Sequence, residues 1–135
     1  MVFDSGFDFT PYVVRGMEWL DGVKPGWEDS VDLRRLQVEV PVNCVLGQVF
    51  AEEFAQAIEA AYLIPTARDS AFHWIVTYGY GGSHIDPSEY GFDLPYDAEE
   101  YAYDMDMEYV TEDYFAELTD TWKFFLNKRK EQANA

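Results

Sequence analysis

No lysine or arginine lies between Arg68 and Lys123, and that interval carries 14 carboxylates. Such a run cannot be buried, because an ionised carboxylate without a partner is costly to remove from water. The interval must fold with its acids outward and draw a core from the apolar residues between them. Tyr101, Tyr103, Met105, Met107 and Tyr109 alternate with Ala102, Asp104, Asp106, Glu108 and Val110. Period two is the pattern of a strand with one buried face, so a strand is expected over 101–109. Upstream, Pro87, Gly91 and Pro95 break any regular element. Residues 81–110 together read as an acidic, tyrosine-rich surface segment.

The whole chain has 135 residues, 26 acids against 9 bases and a net charge of −17. Apolar residues make up 48% and aromatics 18%, enough for a core, and the length fits one domain over 1–135. The charge opposes direct binding to nucleic acid or to an anionic membrane. No window approaches the 18 apolar residues of a membrane span. The first residues include Asp4 and Asp8 and lack a basic n-region, so no signal peptide is read there and the cytoplasm is expected. Cys44 is the sole cysteine and His73 and His84 the sole histidines, which excludes an intramolecular disulfide and any multi-cysteine zinc site. No cofactor motif is present.

Residues 1–9 read as an N-terminal arm anchored by Phe3, Phe7 and Phe9. Thr10-Pro11 reads as an N-cap with proline at the first helical position, and Val13, Val14, Met17 and Leu20 recur at helical spacing; a helix is expected over 11–21. A turn follows at Lys24-Pro25-Gly26-Trp27, then a short helix capped by Asp29 or Ser30 and running through Leu36. Gln37-Val38-Glu39-Val40 reads as a strand ended by Pro41. Asn43 is the expected cap of a second long helix, 44–62, with Val45, Leu46, Val49 and Phe50 inward and Gln48 outward. Residues 70–80 fit a strand or a helix, with 73–79 the strand-like core. Thr111 is the expected cap of a third helix, 112–129, with Glu112 and Asp113 at its positive end and Lys128, Arg129 and Lys130 at its negative end. The fold expected is α+β, mainly α: three principal helices with a small sheet or hairpin.

Two chemistries compete for the acids. A solvated face that keeps the protein soluble is the simpler. The other is a docking face for a basic protein surface, such as a nucleic-acid-binding host protein, with Asp97, Glu99, Glu100, Tyr101, Tyr103, Asp104, Asp106, Glu108, Glu112 and Asp113 as its contact residues. Tyr and Met between carboxylates would supply apolar area. A calcium loop starting at Asp104 fails, because its sixth and twelfth positions hold Tyr109 and Phe115. Cys44, close to a helix N-terminus, could act as a nucleophile with His73 or His84 as base. Val45-Leu46 beside it point instead to a packed thiol. A non-enzymatic binder is expected; a small thiol-dependent or hydrolytic enzyme centred on Cys44, or a structural, oligomeric phage component, are the alternatives.

Several pieces in order carry a resemblance: Gly16-Met-Glu-Trp19-Leu20-Asp21, Pro25-Gly26-Trp27, Asp32-Leu33 with Leu36, and Cys44-Val45-Leu46-Gly47-Gln48. Tyr90-Gly91-Phe92-Asp93 and a last helix with Leu118-Thr119 and Trp122 complete it. Their combination resembles small proteins encoded by actinobacterial phages and their hosts. The resemblance implies a phage or prophage origin and an intracellular site. It implies no activity and no catalytic residue. The shared residues read as structural, and the stretch 96–110 is where this chain is most its own.

Overall fold

The computed structural model describes residues 5–40, 43–50 and 86–133. It contains four α-helices among them, α1 (Thr10–Val23), α2 (Val45–Val49), α3 (Tyr96–Asp104) and α4 (Thr111–Ala133), with 3-10 turns at Trp27–Ser30 and Pro87–Tyr90. No strand occurs among the described residues, so the expected small sheet is not seen.

Helix α1 begins as its sequence suggests. Pro11 sits in the first turn, where its missing N–H is not needed. The cap position is Phe9, one residue earlier than expected, and the Thr10 amide donates to Asp8 Oδ1 at 2.9 Å. Tyr12, Val13, Gly16, Met17 and Leu20 form its buried stripe. The helix runs past Asp21-Gly22 and closes at Lys24, whose amide donates to Leu20 O at 2.8 Å.

Among the described residues, Trp27 and Trp122 are the largest side chains fully inside the core. Their rings meet edge to face at 6.2 Å, and Phe92 stacks on Trp122 at 5.5 Å. The Trp122 indole donates to Gly91 O at 2.6 Å, which ties α4 to the segment after the second 3-10 turn. That segment lies directly on α1. A Cβ at Gly16 would run into the Tyr90 carbonyl and the Trp122 ring, and a Cβ at Gly91 (φ +74) would lie 3.1 Å from the Tyr12 carbonyl. Backbone meets backbone at this joint, and only glycine permits it.

Residues 37–40 form turns rather than a strand. Val40 donates to Gln37 O, and Cys44 to Val40 O at 2.8 Å. The Val38 amide, which a strand would pair with a neighbouring strand, donates to the Thr119 hydroxyl of α4. The short helix expected up to Leu36 is also replaced, by the 3-10 turn at Trp27–Ser30 and single hydrogen-bonded turns through Leu36.

Helix α2 is capped by Cys44 instead of Asn43, and the Cys44 sulfur accepts from the Gly47 amide at 3.3 Å. Gln48, expected outside, is only 8% exposed. Its carboxamide accepts from the Asp32 amide at 2.6 Å and donates to the Asp32 and Asn43 carbonyls at 3.3 and 2.8 Å. One side chain thereby satisfies backbone that has no sheet to join. The continuation of the 44–62 helix beyond Phe50, and the 73–79 element, lie outside the described residues.

The 101–109 alternation is overturned for a physical reason. Residues 101–104 belong to α3, which buries Ala98 and Ala102 one turn apart, both with no exposed surface. These alanines let the helix sit close to the core. The helix then closes with two bonds, Asp106 N to Tyr103 O at 3.1 Å and Met107 N to Ala102 O at 2.8 Å. Asp106 takes φ +55 between them, the left-handed C-terminal closure that glycine favours. The supposed inner face of the strand is therefore split. Tyr103 and Met105 are 84% and 56% exposed, whereas Met107 and Tyr109 pack against the core.

Helix α4 agrees with expectation in its stripe, burying Tyr114, Leu118, Thr119, Trp122 and Leu126. Thr111 is its first residue rather than its cap. No helix among the described residues is long and apolar enough to cross a membrane.

Candidate docking face on α3 and the start of α4

The acidic segment is positioned from three sides. Tyr12 of α1 donates its hydroxyl to Asp97 Oδ2 at 2.6 Å, pinning the first turn of α3. The N-terminal arm holds the middle. Tyr101 donates its hydroxyl to Ser5 O at 3.0 Å, and the Ser5 amide donates to Glu117 Oε1 of α4 at 2.8 Å. The Phe7 ring packs against Phe9, Tyr12 and Tyr101 at 4.9, 6.0 and 5.6 Å. The third anchor is at the α3–α4 junction, where Tyr109 meets the buried Tyr114 ring at 4.8 Å.

On this frame Asp97, Glu99, Glu100, Tyr103, Asp104, Asp106, Glu108 and Glu112 are exposed. Asp113 is half-buried, and so is Tyr101, whose hydroxyl is committed to the arm. The ion pairs among the described residues are Arg34–Asp32, Arg129–Asp21 and Arg129–Glu28. None involves a carboxylate of 97–113. Arg129 binds both oxygens of Asp21 at 2.7 Å and stands 5.5 Å over the Trp27 ring. That hydrogen bond holds the Asp21 carboxyl below its usual range. Lys130, also near the end of α4, donates to Val31 O at 3.4 Å. Along α4, Glu112 and Lys130 are about 27 Å apart at 1.5 Å per residue, several screening lengths at physiological salt. Arg129 and Lys130 are thus too far along α4 to pair with the acids of its first turn.

Helical phase reveals what the alternation concealed. Tyr96, Glu100 and Tyr103 follow one another at i, i+4 and i+7 on the outward stripe of α3, opposite Ala98 and Ala102. Tyr96 is 78% exposed and was not among the expected contact residues. The i, i+4, i+7 spacing was in the sequence, but the strand reading of 101–109 cut it in half.

Cys44 is buried, and burial pushes its thiol up to about 11. At neutral pH the thiol keeps its proton, and it serves as the cap of α2. His73 and His84 lie outside the described residues. Among the described residues no group of three or more His, Cys, Asp or Glu is placed to hold a metal ion.

No family model, curated protein or solved structure matches the chain. The site's chemistry therefore stands on its own geometry.

Proposed function

We propose that this chain is a non-enzymatic, phage-type accessory protein of the host cytoplasm that binds a basic protein surface through α3, the turn after it and the first turn of α4. One observation carries the reading: the exposed carboxylates of 97–113 have no ion-pair partner among the described residues. A fold that only needed solubility would gain by interspersing its charges, since like charges held together weaken the compact state. Two tyrosines and a methionine exposed among these acids add the apolar area of an interface. The partner class that suits such a field is a protein whose own surface is built to meet phosphates.

The test is capture from host lysate over a range of salt, with the intact protein and with a variant carrying Asp104→Lys, Asp106→Lys and Glu108→Lys. Capture by the intact protein should fade as salt rises, and the variant should capture nothing. Retention that ignores salt, or that survives the triple reversal, refutes the reading.

A further inference from the structure

Beside the first turn of α3 lies a cleft of about 120 Å³, closed on the other side by α1. At roughly 30 Å³ per water molecule it holds about four waters, the volume of the polar end of one long side chain. Its lining includes Tyr12, Arg15, Glu89, Tyr96 and Asp97. Carboxylates outnumber the guanidinium two to one, and Glu100 lies one turn further along α3. Asp97 Oδ2 is occupied by the Tyr12 hydroxyl, while Oδ1 accepts no hydrogen bond among the described residues. The Tyr96 ring is exposed at the cleft, and among the described residues no ring or cation stacks on it.

The protein already shows which cation suits such a place. Arg129 lies over the Trp27 ring and grips Asp21, while the Trp27 indole donates to that same carboxylate at 2.9 Å. At the cleft, the Tyr12 hydroxyl donates to Asp97 and Arg15 covers the Tyr12 ring at 4.8 Å. Arg15 does not close onto the carboxylate; its Nε donates to Pro11 O at 3.2 Å. The ring that matches Trp27, Tyr12, is therefore already covered, and what stands open is the second oxygen of Asp97 beside the exposed Tyr96 ring.

We propose that this cleft receives one arginine side chain of the basic partner, its guanidinium flat on the Tyr96 ring and hydrogen-bonded to the free oxygen of Asp97. The inference rests on the docking function above and sharpens it to a particular side chain. Arginine fits better than lysine because a planar fork can stack and bond at once, whereas an ammonium is a hydrated point charge. Arg15 opposes a second guanidinium at this range, so its charge works against the ligand.

The experiment is calorimetric titration of the full chain with a capped all-arginine peptide and with the all-lysine peptide of equal length, at 0.15 M salt. The arginine peptide should bind roughly tenfold tighter, the gain of one stacked and bonded guanidinium. Tyr96→Ala, on an exposed position, should abolish the preference for arginine. Asp97→Asn, which keeps an acceptor for Tyr12, should weaken the arginine peptide severalfold. Arg15→Ala should tighten both peptides. Equal binding of the two peptides overturns the cleft, as does a preference that survives Tyr96→Ala. Weaker binding by Arg15→Ala also overturns it, because Arg15 would then help to hold the peptide instead of repelling it. If the peptides bind equally and both are lost on reversing Asp104, Asp106 and Glu108, the acidic face stands without the cleft. If neither peptide binds the unaltered protein, the face falls as well.

Discussion

Asp106 occupies the left-handed position that ends α3, where glycine would be free of steric cost. The left-handed backbone costs an L-residue about 1–2 kcal/mol, less for aspartate, and glycine's extra chain entropy offsets part of the relief, so Asp106→Gly should stabilise the fold by about 0.5 kcal/mol, read as a higher urea midpoint with an unchanged slope. It should also weaken capture of a basic partner, since it deletes an exposed charge. A destabilised variant would show that Asp106 makes contacts beyond the turn. Tyr12 supplies a pH signature. Burial, reinforced by the hydrogen bond to Asp97, pushes its phenol from 10 up to about 12. The folded form thus favours the neutral phenol, and this contribution is complete below pH 10 and lost as pH rises from 10 through about 12. Tyr109 and Tyr114 are pushed up as well, mainly by burial. Tyr12→Phe should therefore reduce, without abolishing, the alkaline loss of stability, measured by thermal melting between pH 9 and 12.

Helices α1 and α4 were legible in the sequence because their signals are local: proline in the first turn, acids at one end, bases at the other and an apolar stripe at helical spacing. The two overturned strands were not. An alternation of four to nine residues fits a strand, but it also fits a helix end followed by a capping turn, and what separates them is the neighbour. Val38 meets Thr119, and Ala102 meets the core, at sequence distances that no short window spans. Gln48 misled for a related reason, since its partner is the backbone of Asp32. The candidate site shared this fate. Its acids could be read directly, but the Tyr96–Glu100–Tyr103 stripe became visible only once α3 was a helix. Ala102→Val distinguishes the two structures by its sign. In a strand a β-branched residue would be neutral or favourable. In α3, where Ala102 has no exposed surface, the extra methyl groups should cost about 1–3 kcal/mol, measured by chemical unfolding.

Over the described residues, charge is sorted by position. Near the end of α4, Arg129 is spent on Asp21 and Glu28, while the acids of α3 and early α4 have no ion-pair partner among the described residues. Salt should therefore stabilise this protein. Raising sodium chloride from 0.02 to 0.5 M screens the repulsion among the acids more than it weakens the ion pairs of the described residues. The melting temperature should rise by several degrees, and scanning calorimetry would measure it; a fall would mean that the ion pairs at the Arg129 end dominate. The joint between Gly16 and Gly91 sets what this sorting can do over time. With main chain against main chain and the Trp122 ring closing over Gly16, it acts as a rivet that leaves no room for a larger residue at either glycine. The outer surface of α3 takes no part in this joint, so substitutions there can change what it recognises while the joint stays fixed.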